Sequence, residues 1–426
     1  MQAGCRLARI FNAEAVKLCR KSVHIRLCEH ALVSHIEERT VFMKIQKIFV
    51  SITAVFFAIF AFSPPLSAEL PVPENCKAAI LTELSTGTVL YELNADLRLP
   101  IASVTKIMTL LITAEEIEKG NISFSDIAVC SAHAGSMDGS VIWLEEGEEM
   151  ELGELIKSVV IASANDACVV IAEHIEGSEE KFVERMNKKA KSLGLTNTHF
   201  TNCVGYDDPD HYSSARDIAV MSGALKRYNY FDEFLLTRLD SVRTGTKRET
   251  QLLNTNKLIR SYDGISGLKT GTTDNAGCCL SATAEKRGME LCGVVLGCPD
   301  DDTRFSAAEA LLDYGFEGYE SVMPHPDISE LLEVPVKKGV KKTADTRFSA
   351  VSEVILPKGS EGKIEYHYSR TPEIAAPVEK GQVLGFVTMT VDDEVIGTAK
   401  IIAAEEVEEL NYQKSLSSLL EELFRF

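Results

Sequence analysis

Basic charge is what this sequence lacks most. Its 426 residues hold 44 Lys and Arg against 63 Asp and Glu, for a net charge of −19. A phosphate backbone needs a cationic face, so the balance excludes nucleic acid as a partner and gives no attraction to an anionic lipid surface. Long apolar runs are also scarce: one charge-free segment, Ile48 to Phe62, stands out, and it is short for a membrane span. The 11 cysteines include no C-x-x-C pair and the nine histidines no H-E-x-x-H. His133, His174 and His367 have no ligand spacing either, so no metal or cofactor is expected. The eight cysteines beyond the apolar run are not spaced as a disulfide framework, and Cys278 and Cys279 are adjacent. They read as small buried apolar residues, although export would permit disulfides.

What is present suits a folded, exported chain. Hydrophobic residues make up 45% and charged residues 25%, and the length suits two domains. Met43-Lys44-Ile45-Gln46-Lys47 is a basic lead-in to the apolar run, and Ser67-Ala68 offers small residues before Glu69. This is the build of a signal peptide over 43–68, cleaved after Ala68; an uncleaved anchor is the alternative. Residues 1–42 carry Arg6, Arg9, Lys17, Arg20, Lys21, Arg26 and Arg39 and three cysteines, a poor prelude to a signal peptide. Translation is expected to start at Met43, with 1–42 an upstream extension outside the fold.

Along the mature chain, Ala78 to Leu81 and Thr88 to Leu93 read as a hairpin split by Ser85-Thr86-Gly87. Helices are expected over Ser103–Glu118, Leu152–Ile161, Asp166–Ile175, Glu179–Leu193, Ser213–Leu225 and Phe305–Tyr314. Gly277–Ala284 and Glu290–Leu296 read as consecutive strands. Helices in the middle with strands at both ends imply an α+β domain over 69–325, in which one sheet collects both ends of the segment. Five short β-rich runs follow: Leu331–Val336, Ala350–Ile355, Lys363–Tyr368, Val383–Thr390 and Val395–Ile402. They imply a small all-β sandwich over 326–406. The tail, 407–426, closes in an amphipathic helix with Leu416, Leu419, Leu420, Leu423 and Phe424 on one face, suited to docking on the sandwich or to a membrane interface.

Three short motifs stand in order: Ser103-Val104-Thr105-Lys106, Ser163-Ala164-Asn165 and Lys269-Thr270-Gly271. Singly, each has a bland reading: a helix cap followed by a solvated lysine, a turn, a strand end. Together, on an exported chain, they form the set used by serine acyl-transfer enzymes of the penicillin-binding and class A β-lactamase type. The chemistry follows from residue type. A serine hydroxyl is a poor nucleophile until a base takes its proton, and Lys106, one turn on, is the only base in covalent reach of Ser103. That lysine needs a depressed pKa, which burial and a second cation, Lys269, would supply. Ser163 can pass a proton toward the leaving amine, and Asn165 can accept from Lys106 and donate to substrate. Lys269-Thr270-Gly271 on a strand edge would pair with an extended peptide, and the N–H groups of Ser103 and Thr272 would form an oxyanion hole. Thr105 reads as filler between nucleophile and base.

At this point the chain resembles the D-alanyl-D-alanine carboxypeptidases, the low-molecular-mass penicillin-binding proteins of peptidase family S11. The resemblance runs through "LYELNADLRLPIASVTKIMT", "IASANDACVVIAEHIEGSEEKFVERMN", "HYSSARDIAVMS", "GISGLKTGTTDNAGCCLSATA" and "DDTRFSAAEALLDYGF", and covers about 78–426. The β-rich tail is similar to the family's C-terminal domain, and the last helix to its amphipathic anchor. Departures are Ala164 where Gly is common, Thr272 at a variable position, and the Cys278-Cys279 pair.

The resemblance implies removal of the terminal D-Ala from peptidoglycan stem pentapeptides through a Ser103 acyl-enzyme. It also implies trapping by β-lactams, a place outside the cytoplasmic membrane, and a role for Arg304 in holding the substrate's terminal carboxylate. No cofactor is implied. A class A β-lactamase would need a glutamate in an E-x-x-L-N loop; Glu249 to Asn254 is one residue too long and lies close to K-T-G. A D,D-endopeptidase or transpeptidase shares the acylation chemistry and stays open. His211 reads as a structural histidine rather than a base.

Overall fold

The computed structural model describes residues 75–412. The leader, the upstream extension and the amphipathic tail helix lie outside the described residues. Five strands form the central antiparallel sheet: β1 (Ala78–Glu83), β2 (Val89–Leu93), β3 (Ile265–Thr273), β4 (Gly277–Lys286) and β5 (Met289–Cys298). Their order is β2-β1-β5-β4-β3. The first hairpin therefore joins the last strands, as the α+β reading expected, and β1 pairs with β5 through Ile80↔Val294 and Leu81↔Gly293.

Side chains alternate across a strand, and both faces of this sheet are buried. Ile80 and Val294 face the larger core with Ile107, Ile156, Val169 and Ile218. Leu81 and Val295 face the smaller one with Leu311, Leu312 and Phe316. The larger core is built by α1 (Lys106–Glu118), α2 (Leu152–Ala162), α3 (Asn165–Glu176), α4 (Glu179–Ser192) and α5 (Ala215–Lys226). The smaller is covered by α6 (Asp301–Gly318), whose Asp300 cap accepts the Thr303 N–H at 2.7 Å. Ser178 and Ser214 cap α4 and α5 in the same way, which is why those helices start where a small polar residue precedes an acidic turn.

Two expectations need correction. The helix expected from Ser103 starts only at Lys106: Ser103 lies in a 3-10 turn, Ala102–Thr105, and α1 has no side-chain cap bond. The cysteines are not all apolar filler either. Cys76 and Cys298 form a disulfide across 222 residues, tying the entrance of β1 to the exit of β5. The other six described cysteines are free and buried. Two small hairpins, Ile127–Val129 with Glu149–Glu151 and Leu239–Val242 with Thr250–Leu253, escaped the sequence reading.

Beyond α6 the chain is all-β. β6 (Tyr319–Val322) pairs with β10 (Val354–Pro357), and β7 (Val334–Lys337) lies between β8 (Thr343–Ala344) and β12 (Ile374–Ala375). A four-stranded sheet runs β9 (Thr346–Phe348), β14 (Glu394–Ala403), β13 (Val383–Val391), β11 (Glu365–Arg370). Val334, Ala344, Leu384 and Ala403 make its main core. Among the described residues no helix is long and apolar enough to cross a membrane.

Candidate active site

β3 is the edge strand beside the helical cluster, and it carries Lys269, Thr270 and Gly271. At Gly271 its backbone presses on the turn that holds Ser103. A Cβ there would sit 2.7 Å from the Ile101 carbonyl oxygen and 2.9 Å from the Ser103 nitrogen, closer than atoms pack, so only glycine fits. From the other side Gly205, with φ at +96°, lies so close that a Cβ would come within 1.9 Å of the Ala102 oxygen. The Ser103 turn is thus clamped between two glycine backbones.

Lys106 is fully buried. Its Nζ lies 2.9 Å from Ser103 Oγ, 2.7 Å from Asn165 Oδ1 and 2.8 Å from the Val204 carbonyl oxygen. The last two atoms can only accept. A neutral amine has two N–H donors and one lone pair, so satisfying Asn165 and Val204 leaves the lone pair aimed at the Ser103 hydroxyl. Burial pushes the Lys106 ammonium down to about 8, against a weaker opposing pull from Cys168, Cys203 and Asp166. At pH 7 roughly a tenth of the side chain is then neutral, where an ordinary lysine has almost none.

Lys269 is buried as well, its Nζ donating to Ser163 Oγ at 2.8 Å and to the Thr270 carbonyl at 3.1 Å. Burial, followed by the nearby positive charges of Lys106 and Arg304, holds it well below the usual lysine range. Ser163 sits in the break between α2 and α3 with a left-handed backbone, φ 63°. This kink turns its hydroxyl toward β3 and starts α3 at Asn165. Asn165 is oriented from three directions. Its Nδ2 donates to the Asp138 carbonyl at 2.7 Å, its backbone N–H to Ser140 O at 2.6 Å, and its Oδ1 faces Lys106. Thr270 Oγ1 donates to Thr255 Oγ1 at 2.7 Å.

Thr272 is the first exposed residue after the buried run of β3. Arg304, on α6, reaches it from below the sheet, with Nη1 2.9 Å from Thr272 Oγ1 and 3.0 Å from the Gly271 carbonyl. Its Nη2 pairs with Asp301 at 2.6 Å, while Nε is buried without a partner among the described residues. Its contacts therefore run through Thr272 and the strand backbone, and the residue stays 5% exposed.

Several residues at the site were invisible in the motifs. Val204 contributes only a carbonyl, placed by Asn202, whose Oδ1 accepts the N–H groups of Val204, Gly205 and Tyr206. The signal was there in "TNCVGYDD", an Asn three residues before a Gly, but it marks a turn rather than a site. Tyr206 OH donates to Asp138 Oδ1 at 2.7 Å and stabilises the loop that holds Asn165. Thr105 is not filler: its Oγ1 is 2.8 Å from His211 Nε2, and both residues are buried. The Thr201 N–H donates to His211 Nδ1, which fixes the hydrogen on Nε2 and makes Thr105 the acceptor. Burial pushes His211 down to about 4, so it is a neutral strut. Glu249, the nearest approach to a β-lactamase glutamate, accepts from Gly245 N in the tip of the 239–253 hairpin. Among the described residues no group of three His, Cys, Asp or Glu is placed to hold a metal.

A family profile for D-alanyl-D-alanine carboxypeptidase matches residues 67–300, more than half of the chain. A second, for the C-terminal domain of penicillin-binding protein 5, matches 319–409.

The chain belongs to the D-alanyl-D-alanine carboxypeptidase family.

Its similarity to D-alanyl-D-alanine carboxypeptidase DacF of Bacillus subtilis is 41% identity, over 79% of this chain and 87% of that one. With DacC of Escherichia coli it is 34%, over 83% and 89%. The fold is similar to that of penicillin-binding protein 5 from Haemophilus influenzae, with a TM-score of 0.72, 30% identity and coverage of 82% of this chain and all of that one. The family makes the chain a serine-type hydrolase that acts on peptidoglycan and carries the all-β domain after the catalytic one. The Cys76–Cys298 disulfide is a feature of this family member that no motif announced.

Proposed function

We propose that Ser103 is the acyl-accepting nucleophile of a D-alanyl-D-alanine carboxypeptidase that removes the terminal D-Ala from peptidoglycan stem pentapeptides. The observation that carries this reading is the Lys106 amine, buried, with two obligate acceptors and the Ser103 hydroxyl around it. Neutral Lys106 takes the hydroxyl proton as Ser103 Oγ attacks the carbonyl carbon of the penultimate D-Ala. The backbone N–H groups of Ser103 and Thr272 hold the developing oxyanion. The proton reaches the departing D-Ala amine through Ser163, which Lys269 orients by its hydrogen bond. Asn165 holds Lys106 in place and binds the peptide, and Gly271 lets the peptide backbone lie along β3. The terminal carboxylate is held by Lys269, Thr270 and Thr272, with the Arg304 guanidinium behind Thr272. Water then attacks the ester and releases the shortened stem.

A β-lactam presents the same carbonyl in a ring, so its leaving group stays tethered and Ser103 remains acylated. The chain works outside the cytoplasmic membrane after cleavage near Ala68, with 69–325 as the catalytic domain and 326–406 as the all-β domain. The tail, 407–426, gives it a peripheral contact with the membrane. D-Ala release from a free pentapeptide, compared with cleavage of a cross-linked dimer, tests the reaction. Release from the pentapeptide that is lost in Ser103→Ala supports carboxypeptidase action. Cleavage of the dimer alone would make it an endopeptidase.

A further inference from the structure

The sequence contains one tryptophan, Trp143, and the fold holds it out in water: it is 68% exposed while Ile142 and Leu144 on either side are buried. Its backbone is left-handed, φ 55°, a conformation that a bulky side chain adopts only when its surroundings impose it. They do so here with charged groups. Asp166, buried and next to Asn165 on α3, accepts the N–H of Ile142 at 3.0 Å and of Leu144 at 3.0 Å. Arg243 donates to the Ile142 carbonyl at 2.9 Å, and Arg248 to the Trp143 carbonyl at 2.6 Å. Both arginines pair with Glu148. An aspartate and two arginines thus fix the peptide groups around one residue. The indole itself has no hydrogen-bond or ring partner among the described residues. None of these contacts serves the acylation chemistry.

We propose that Trp143 is a sugar-stacking platform that binds the glycan strand carrying the stem peptide. The inference rests on the reading of the chain as a wall-acting peptidase. Position fits: the N–H groups on both sides of Trp143 bond the carboxylate of Asp166, the neighbour of Asn165, so the tryptophan is held against the same helix start that presents Asn165 to Lys106. A five-residue stem spans at most about 17 Å, so the proposal places the Trp143-bound sugar within that reach of Ser103. Polar groups around the ring suit a sugar. Glu146 beside the indole and Asp138 nearer the site are exposed carboxylates, and Glu145 is paired with Arg248. They accept hydrogen bonds from sugar hydroxyls and acetamido N–H groups, while the C–H face of a pyranose covers the ring.

The lone tryptophan makes the test direct, because all indole fluorescence of the protein comes from this position. Titration with a tetramer of N-acetylglucosamine should shift and quench the emission saturably. Trp143→Gly, which relieves the left-handed backbone, should keep D-Ala release from a free pentapeptide within about twofold. It should raise KM at least fivefold for pentapeptides still attached to glycan strands, and Trp143→Phe should restore most of that loss. An emission spectrum unmoved by the sugar, or an equal loss on both substrates, overturns the proposal. Neither result bears on D-Ala release by the wild-type protein, which tests the peptidase reading separately.

Discussion

Replacing Asn165 by Asp puts a negative charge beside the base and gives up the Nδ2 bond to the Asp138 carbonyl. The two side chains have the same shape, and the Oδ1 position lies 2.7 Å from Lys106 Nζ in a buried site. A carboxylate there attracts the ammonium by about 6 kcal/mol at an effective dielectric near 20, less its own burial penalty. A neighbouring opposite charge raises a lysine pKa by about 1–3 units. Taking about 2 units, Lys106 moves from about 8 to about 10. At pH 7.5 the neutral fraction falls from roughly a quarter to roughly 0.3%, an ~80-fold loss of competent enzyme. The assay is the second-order rate of acylation by a fluorescent penicillin between pH 6 and 10.5. The wild-type rate should rise through pH 8 and level off; Asn165→Asp should start ~100-fold lower and climb until about pH 10. Asn165→Ala, which removes an acceptor without adding charge, should be slow with no alkaline shift. Superimposable profile shapes for wild type and Asn165→Asp would refute Lys106 as the group that must lose its proton.

Three further outcomes follow from the geometry. Gly271→Ala forces a Cβ to 2.7 Å from Ile101 O and should cut acylation by about 100-fold or more through displacement of the Ser103 turn. Circular dichroism should show the fold retained. His211 is depressed to about 4, so the unfolded chain binds its proton first and stability falls as pH drops from about 6.5 to about 4, by up to about 3 kcal/mol. His211→Gln should flatten that part of the Tm–pH curve. Cys76→Ser opens a 222-residue loop, a loss of about 5 kcal/mol in the chain-entropy limit. Its Tm should fall to that of the reduced wild type, while acylation at 25 °C is unchanged because neither cysteine touches the site.

The parts of the site that are side chains in short motifs were legible in the sequence; the parts that are backbone or distant were not. Ser103, Lys106, Ser163, Asn165 and Lys269 announce themselves by residue type and order, and the fold brings them within hydrogen-bond distance. Val204 supplies a carbonyl, an atom every residue has, so no residue type marks it. Gly205 and Gly271 matter by what a Cβ would strike, which depends on the approach of a second chain segment. Ser103 makes no cap bond to α1 because Lys106 takes the hydroxyl that a cap would have offered to the backbone. Cys76 and Cys298 meet only because β1 and β5 pair antiparallel, a register that sequence spacing does not encode. The helices of the larger core were readable from their apolar periodicity. The three-residue and four-residue strands of the small hairpins were not, since so short a run has no period to detect.

The acyl-enzyme is a single new bond, between Ser103 Oγ and the penicillin carbonyl carbon. Labelling residues 69–426 with benzylpenicillin, followed by trypsin digestion and mass spectrometry, reads it directly. The prediction is a single penicilloyl adduct in the peptide Leu99 to Lys106, on Ser103, and none in Ser103→Ala. An adduct on Ser163 or any other residue, or one that survives in Ser103→Ala, would contradict it.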